Sequence, residues 1–404
     1  MKILHVNTKD TGGAANACMR IHKTLIEKGI DSKVLLLHKT KDIPETYQFD
    51  YWNNIKNRID GLYRSLKSRY YKKKLSKFST FRQKYPVEAF TNPQTIYDIT
   101  KHPPLYKEAD IIQLNWVSGF LDEPSFFRKN KKPVVWRMAD LYICGGGNHY
   151  EKEFPFGTYH NMIKKNYKIR KNSLTGKKIN IVAISNWTKS KAEKSELLKG
   201  NPITVIQNGI DSDIFKQFDK KEARELLGLP LDKRIILFGA EALLVKRKGM
   251  DLLLEAINRP DFSNYLFCAF GNSPEWLQKN IFSLGGLIHD ENKLSLIYSA
   301  ADIFVMPSIE ETFGQVIIES LSCGTPVVSF PTGGALDVIR TGFNGIITDH
   351  FSSDDLANAI QEAINTHFDN NKIREDILSR FNIKIQTDKY IELYKSILNK
   401  ESVI

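Results

Sequence analysis

The stretch Ser308–Asp337 constrains the fold of this chain most, because it combines a strand end, two glycine turns and a helix start. The apolar run Asp302–Pro307 has the composition of a buried parallel strand, and its proline ends it. Gln315–Cys323 has helical spacing of its apolar residues, with Gly324 as the stop signal. A strand, a turn and a helix in this order predict an α/β fold with a parallel sheet.

Two carboxylates in this stretch are predicted to reach one ligand site. Glu311 lies on the loop after the strand, and Glu319 lies about one turn into the next helix. Because helical side chains lean toward the helix N-terminus, we expect both carboxylates at the carboxyl-terminal edge of the sheet, where open α/β folds bind ligands. Glu311 alone is also compatible with a capping or surface acid.

Backbone amides at the same edge favour an anion. A helix that starts after the Thr-Phe-Gly turn exposes the N–H groups of Phe313, Gly314 and Gln315. Gly333 and Gly334 allow the backbone to approach a ligand closely before the predicted helix Ala335–Arg340. A carboxylate beside such amides is a good acceptor for sugar hydroxyls, so the stretch predicts a site for a sugar joined to an anion.

The run E-T-F-G-Q-V-I-I-E, followed by S-C-G-T-P-V-V and G-G, resembles the E-x7-E motif of the retaining nucleotide-sugar glycosyltransferases of family 4. Members of that family have two Rossmann-like, doubly wound α/β domains facing a cleft, an arrangement called GT-B. The resemblance implies an acceptor-side domain at residues 1–210, a nucleotide-sugar donor domain at residues 211–384, and a helix at residues 385–404 that returns to the first domain.

Composition agrees with two soluble domains. A chain of 404 residues is too long for one ordinary core, and 42% hydrophobic and 26% charged residues are typical of globular proteins. The start shows no signal-peptide pattern and no apolar run is long enough to span a bilayer, which predicts a cytoplasmic location. The scattered cysteines predict reduced, mostly buried thiols, and the histidines show no metal-binding spacing, so we expect no metal.

Positive charge is concentrated in the basic stretch Lys56–Lys84, where eleven Lys or Arg residues face one acid, Asp60, among interleaved aromatic residues. Three interpretations stay open: a solvated surface helix, a nucleic-acid patch, or a docking face for anionic lipid at the inner face of the membrane. No nucleic-acid-binding module accompanies the stretch, so we expect no nucleic-acid partner.

The N-terminal half opens with a predicted strand, Lys2–Asn7, a glycine turn at Gly12 and Gly13, and a predicted helix, Ala14–Lys28. This order suits a phosphate, although a tight turn alone also explains two glycines. In the resembled family this loop lies across the cleft from the donor diphosphate. The resemblance therefore assigns Gly12 and Gly13 to donor binding.

A second resemblance lies in the loop after the predicted strand Pro133–Met138. Close family members often read W-R-x-x-D-M-W-x-x-T-G-G-C-H-Y, whereas here Ala139 replaces the usual His before the Asp and Asn148 replaces the Cys. The resemblance implies acceptor-side roles for Asp140 and His149, and a surface-loop histidine is the alternative for His149. The matching residues are Trp136, Arg137, Asp140, Gly146, Gly147, His149 and Tyr150.

Three cations, Lys246, Arg247 and Lys248, precede the predicted helix Met250–Ile257. Cations at a helix start oppose the helix dipole, so either a bound anion or solvent exposure must compensate. Family members usually have an Arg shortly after the preceding strand and a Lys before the Gly. Lys248 matches that Lys, and Arg247 is expected to supply the other charge because Ala240 stands where the Arg would be.

We therefore predict a retaining glycosyltransferase that moves a sugar from a nucleotide-diphosphate donor to a hydroxyl of a glycan or lipid-linked acceptor, in bacterial surface-polysaccharide biosynthesis. By resemblance, Glu311 holds donor-sugar hydroxyls, Glu319 holds ribose hydroxyls, and His289 lines the base pocket. Arg247 and Lys248 would stabilise the leaving diphosphate without a metal or cofactor. A nucleotide-sugar epimerase of the same fold and a non-enzymatic protein that binds anionic ligands are the alternatives.

Overall fold

The computed structural model describes residues 1–50, 69, 73, 90–152, 154, 156–243, 245–272, 281–286 and 288–401. The chain divides into two compact units. Unit 1 comprises Met1–Ile184, Thr188–Ile206 and Thr387–Ile404, and unit 2 comprises Ser185–Trp187 and Gln207–Gln386. The basic stretch Lys56–Lys84 lies outside the described residues, apart from Arg69 and Lys73.

Unit 1 is built on a parallel sheet with the strand order β3-β2-β1-β4-β5-β6-β7. The inner strands β4 and β5 are buried along their whole length, as expected where a parallel sheet is covered on both faces. The strands are β1 Lys2–Lys9, β2 Asp31–His38, β3 Thr46–Gln48, β4 Ile111–Leu114, β5 Val134–Met138, β6 Asn180–Ala183 and β7 Ile203–Val205.

The described helices of unit 1 connect these parallel strands. The last helix, α13 Ile383–Glu401, begins in unit 2. Its residues from Thr387 onward belong to unit 1, where the Tyr394 hydroxyl donates to Oε1 of Gln113. The helices are α1 Gly13–Glu27, α2 Pro103–Glu108, α3 Glu123–Lys129, α4 Phe156–Leu174, α5 Asn186–Lys194, which starts in the unit 2 segment, and α13 Ile383–Glu401.

Unit 2 repeats the architecture with the strand order β10-β9-β8-β11-β12-β13, again with parallel pairs. Its strands are β8 Ile235–Ala242, β9 Leu266–Asn272, β10 Phe282–Ser283, β11 Ile303–Met306, β12 Val327–Ser329 and β13 Gly345–Ile347. Its helices are α6 Lys220–Leu227, α7 Met250–Ile257, α8 Glu291–Ala300, α9 Gln315–Ser322, α10 Ala335–Val338, α11 Ser353–Asn365 and α12 Asn370–Phe381.

Local sequence explains where several unit 2 helices begin. Asp219, Asp290, Ser352 and Asp369 each occupy an N-cap position and accept a hydrogen bond from a backbone N–H of the first turn. Such caps satisfy amides that have no partner within the helix. The apolar faces of α7 and α11 then pack with β8 and β11 in one buried cluster that includes Phe238, Leu253, Val305 and Ile360.

The predicted pair of doubly wound α/β domains is confirmed. The predicted helix Met250–Ile257 has the observed bounds, whereas the predicted helix Ala335–Arg340 ends early, at Val338. Helix α12 was missed: its apolar side chains Ile373, Ile377 and Phe381 are buried, but eight of its twelve residues are polar or charged, which hides the helical pattern. None of the described helices has the length and apolarity that crossing a bilayer requires.

The strand order defines one switch point in each sheet, since the chain moves outward in one direction and then restarts in the other. In unit 1 this point lies between β1 and β4, and in unit 2 it lies between β8 and β11. Loops that leave two such neighbouring strands diverge and open a crevice at the carboxyl-terminal edge. This geometry places the expected ligand-binding edge of unit 2 at the loops after β8 and β11.

Candidate functional site

The unit 2 switch point brings together Arg247, Lys248 and Glu311. Arg247 and Lys248 lie in a 3-10 turn after β8, and Glu311 lies on the loop after β11. Nζ of Lys248 is 2.6 Å from Oε2 of Glu311, and Nη1 of Arg247 is 3.5 Å from the same oxygen. The predicted cations and the predicted carboxylate therefore form one cluster. Arg247 lies beside Glu311, which places there the charge that Ala240 lacks.

Backbone contacts fix the two loops that carry this cluster against each other. Nη1 of Arg247 donates to the Glu310 carbonyl at 3.2 Å, and the Ile309 amide donates to the Arg247 carbonyl at 2.8 Å. Gly249 has φ of 65°, and a Cβ there would lie 1.9 Å from the Pro307 carbonyl oxygen. Only glycine allows the two loops to approach so closely.

The cations keep Glu311 ionised although it is buried. Burial alone would raise the pKa of Glu311, but the charges of Lys248 and Arg247, with hydrogen bonds from Lys248 and the Thr312 amide, lower it from 4.5 to about 2. The Glu311 side chain is 11% exposed and that of Lys248 is 20% exposed. The site thus holds two cations and one carboxylate close to the protein surface.

The loop that contains Thr332, Gly333 and Gly334 packs against the Glu311 backbone. The Glu311 amide donates to the Thr332 hydroxyl at 3.1 Å. A Cβ at Gly333 would lie 1.6 Å from the Glu311 carbonyl oxygen, and one at Gly334 would lie 2.4 Å from the Phe313 carbonyl oxygen. Both glycines are therefore required by contact with the Glu311 loop, a reason that sequence analysis did not identify.

Helix α9 begins at Gln315, four residues after Glu311. Gly314 is the N-cap in a left-handed conformation, and Gln315 is the first helical residue. Phe313 is fully buried. Glu319 is 8% exposed and accepts a hydrogen bond from the hydroxyl of buried Tyr298, with 3.3 Å between oxygens.

His289 lies at the same edge of the sheet, immediately before Asp290, the N-cap of α8. Its side chain is exposed. The Asp290 carboxylate is already used by the helix, since Oδ1 accepts from the Asn292 amide at 2.9 Å. His289 is thus accessible at the edge where Glu311 lies, and its assignment to a base pocket stays a prediction.

In unit 1, Gly12 and Gly13 lie where β1 leads into α1. Gly12 is the N-cap with φ of 90°, and Gly13 has open space where a Cβ would be. Buried Asp10 supports this turn by accepting from the Thr40 hydroxyl at 2.7 Å and from the Thr40 and Lys41 amides. Asp10 was not singled out in the sequence, because its partners come from the loop after β2.

Asp140 and His149 form a buried pair. Nδ1 of His149 is 2.5 Å from Oδ2 of Asp140, which also accepts from Nε1 of Trp116 at 3.0 Å. His149 is 1% exposed, so the surface-loop interpretation is wrong. Nε2 of His149 lies 2.9 Å from the Thr91 hydroxyl. Burial opposes ionisation of Asp140, but His149 and these hydrogen bonds lower the Asp140 pKa below its ordinary value.

A fully buried ion pair, which sequence analysis missed, holds the loop that carries Asp140 and His149. Arg170 on α4 binds both oxygens of Glu123 on α3 at 2.8 and 2.9 Å. Nη1 of Arg170 also donates to the carbonyls of Tyr142 and Gly145, and the guanidinium lies 3.9 Å from the Tyr142 ring centroid. The partners are 47 positions apart in the chain, so the sequence gives no signal for this contact.

Within the described part of the chain, no group of three or more His, Cys, Asp or Glu side chains is placed to hold a metal ion. The four cysteines are free thiols, three of them buried. Cys144 is the partly exposed one, and burial raises its pKa to about 12. The cysteines therefore supply no thiolate at neutral pH.

Comparison with known proteins addresses the same region. Residues 219–378 match the family described as "Glycosyl transferases group 1". This range contains Arg247, Lys248, Glu311 and Glu319. The chain is 33% identical to a D-inositol 3-phosphate glycosyltransferase of Thermobispora bispora over 188 residues, which cover 41% of this chain and 44% of that protein. The match thus spans less than half the length of this curated relative.

Solved structures match over nearly the whole chain. Sucrose-phosphate synthase from Thermosynechococcus elongatus has a TM-score of 0.70 at 17% identity, with 99% of this chain and 100% of that chain covered. HepE from Anabaena, in complex with UDP and glucose, has a TM-score of 0.65 at 19% identity, with 98% and 100% covered. At such identities the likeness establishes the fold.

These findings support the group 1 glycosyl transferase family for residues 219–378, within a chain that has the GT-B fold.

Proposed function

We propose that this protein is a retaining glycosyltransferase that moves a sugar from a nucleotide-diphosphate sugar to a hydroxyl of a glycan or lipid-linked acceptor. The observation that carries the proposal is the cluster of Arg247, Lys248 and Glu311 at the unit 2 switch point. It lies within residues 219–378, the range that matches the group 1 glycosyl transferases. Surface-polysaccharide biosynthesis is the pathway that the sequence resemblance favours.

The chemical difficulty in such a transfer is the charge on the leaving group. A diphosphate departs with the electrons of the anomeric bond, and preorganised cations and amide dipoles stabilise that charge without rearranging. Arg247 and Lys248 are the proposed cations, and the amides of Gly314, Gln315, Gly333 and Gly334 are the proposed dipoles. Gly12 and Gly13 of unit 1 are assigned to donor binding by the sequence resemblance. No metal is needed for this role.

Glu311 has two kinds of partner in this proposal: the two cations and the hydroxyls of the donor sugar. It pairs with Lys248 and Arg247, since both cations contact its Oε2. Donor phosphates would compete for these cations, which frees carboxylate oxygens of Glu311 to accept hydrogen bonds from the donor-sugar hydroxyls. Glu319, held by Tyr298, would accept from the ribose hydroxyls, and His289 would lie beside the base.

The acceptor hydroxyl would attack on the face from which the diphosphate leaves, and the diphosphate would take its proton. This route needs no covalent nucleophile and keeps the anomeric configuration. Asp140 and His149 are the proposed acceptor-side residues. Because Asp140 already accepts from His149, Trp116 and the Tyr142 amide, its role is to shape and polarise the loop rather than to act as an unengaged base.

The decisive experiment is a thermal-shift panel of UDP-, GDP- and ADP-sugars, followed by a turnover assay with the nucleotide that stabilises the protein. HepE in complex with UDP and glucose supports a UDP-sugar as the first candidate. We expect nucleotide release to require an added acceptor and to be unaffected by EDTA. Conversion of the donor to a stereoisomer without an acceptor would instead identify an epimerase, and binding without turnover would identify a binding protein.

A further inference from the structure

Helix α4 carries an unusual distribution of charge. No acidic residue occurs between Glu153 and Glu193, whereas this segment contains nine Lys or Arg residues. Its one arginine, Arg170, is buried and paired with Glu123. The remaining eight are lysines, so the exposed charge of this segment is entirely lysine.

The two faces of α4 differ sharply. The inward face is buried and consists of Tyr159, Asn166, Arg170 and Leu174. The outward face has exposed residues at every fourth position, which places them in one row along the helix. That row is Phe156, His160, Lys164 and Lys168, with Lys165 and Lys171 exposed beside it.

The row continues into a groove at the carboxyl-terminal end of α4. This groove has a volume of about 390 Å³, and Lys171, Lys177, Lys178 and Lys199 line it together with one acid, Glu196. We call Lys164, Lys165, Lys168, Lys171, Lys177, Lys178 and Lys199 the α4 basic face. Among the described residues, no carboxylate lies within 4.0 Å of the ammonium group of any of these seven lysines.

The composition of this face favours lipid headgroups over nucleic acid. Lysine is a flexible, hydrated point charge that follows a fluid array of phosphates, whereas base recognition relies on the planar, bidentate guanidinium of arginine. At the start of the row Phe156 is 44% exposed, which provides an aromatic side chain of the kind that lies at a membrane interface. The long lysine stems allow the charged ends to reach headgroups while the helix lies flat.

The same helix holds the acceptor-side loop with its other face. Arg170 binds the carbonyls of Tyr142 and Gly145. A Cβ at Gly146 would lie 2.3 Å from the Ile163 carbonyl oxygen, so the loop lies directly on the α4 backbone. Asp140 and His149 are therefore fixed to the inner side of a helix whose outer side is basic.

We propose that the α4 basic face docks unit 1 onto an anionic lipid bilayer. A bilayer-bound α4 would hold the Asp140–His149 loop close to the headgroup layer, where the reacting hydroxyl of a lipid-linked acceptor lies. This consequence for the acceptor rests on the proposed glycosyl transfer, whereas the docking itself does not. In sequence, the residues of this face lie outside the basic stretch Lys56–Lys84.

The test measures co-sedimentation of the full chain with vesicles, without donor or acceptor. Vesicles of phosphatidylglycerol and phosphatidylcholine are compared with vesicles of phosphatidylcholine alone at several salt concentrations. The variant carries Lys164→Gln, Lys168→Gln and Lys171→Gln. The matched control removes the same charge from exposed lysines of unit 2, with Lys221→Gln, Lys233→Gln and Lys372→Gln. A third variant with Lys72→Gln, Lys73→Gln and Lys74→Gln reports on the basic stretch.

Each lysine near an anionic surface strengthens binding about fivefold at low salt, so we expect the α4 variant to bind on the order of 10²-fold more weakly than the unit 2 control. Rising salt should weaken wild-type binding, because screening shortens the range of the attraction. Equal binding by the α4 variant and its control would overturn the proposal. So would absence of wild-type binding to anionic vesicles at low salt, or tighter binding to a single-stranded RNA that the α4 substitutions abolish.

Discussion

Lys248 and Glu311 are 63 residues apart in the chain, yet Nζ of Lys248 lies 2.6 Å from Oε2 of Glu311. The contact exists because β8 and β11 are neighbours in the sheet, and the loops that follow them leave the same edge. The contact places one positive charge against one negative charge. When a diphosphate binds, Lys248 would contact its phosphates and Glu311 would contact the donor sugar. The first two predictions concern these two residues.

Lys248→Ala should lower turnover by about 10²–10³-fold, because removing one preorganised charge from a leaving-group site has an effect of that size. Lys246→Ala is the matched control, since Lys246 lies exposed in the same turn. Steady-state kinetics with the preferred donor check the prediction. If the two variants have equal turnover, Lys248 does not stabilise the leaving group.

Glu311→Gln should destabilise unit 2 at neutral pH, and the difference from wild type should shrink as the pH falls toward 3. The folded-state pKa of Glu311 is lowered from 4.5 to about 2, so its ionisation contributes stability above pH 4.5 and loses it as the pH falls toward 2. Such a shift corresponds to about 3 kcal/mol at pH 7. Urea unfolding of both proteins between pH 7 and pH 3 measures it, and a constant difference across that range would contradict the assigned cause.

Glu319→Ala should weaken nucleotide binding by about 1.5–3 kcal/mol, the value of a charge-assisted hydrogen bond to the ribose. Tyr298→Phe should weaken it less, because Glu319 stays in place but loses the hydroxyl that orients it. Calorimetric titration with the nucleoside diphosphate and with its 2′,3′-dideoxy analogue separates the effects. The Glu319 variant should lose its preference for the ribose hydroxyls, and an unchanged preference would remove this assignment.

Arg170→Met should destabilise unit 1 by about 3–5 kcal/mol, because it leaves the Glu123 carboxylate buried without a counter-charge. Adding Glu123→Gln to that variant should recover part of the loss, since it removes the uncompensated charge. Denaturant unfolding of the single and double variants tests the coupling. If the two changes are additive, the pair does not act as a unit.

Local sequence was sufficient for much of the secondary structure. Buried strands in a parallel sheet are continuous apolar runs, so β1 and β11 were predicted close to their observed bounds. Helix α7 was predicted with its observed bounds because Gly249 and an apolar helical face mark it. Helix α12 was missed because most of its residues are polar and it is stabilised by packing onto α9.

The candidate site also combines features that the sequence predicts with features that only the tertiary structure shows. The sequence by itself determined the residue types: a carboxylate after β11, cations after β8 and glycines at the turns, since these depend on neighbours in the chain. Only the tertiary structure decided which of them touch. It brought Arg247 to Glu311, required Gly333 against the Glu311 carbonyl, and buried His149 against Asp140. These contacts depend on which strands are neighbours in a sheet, and strand order is a non-local property that burial of the whole core selects.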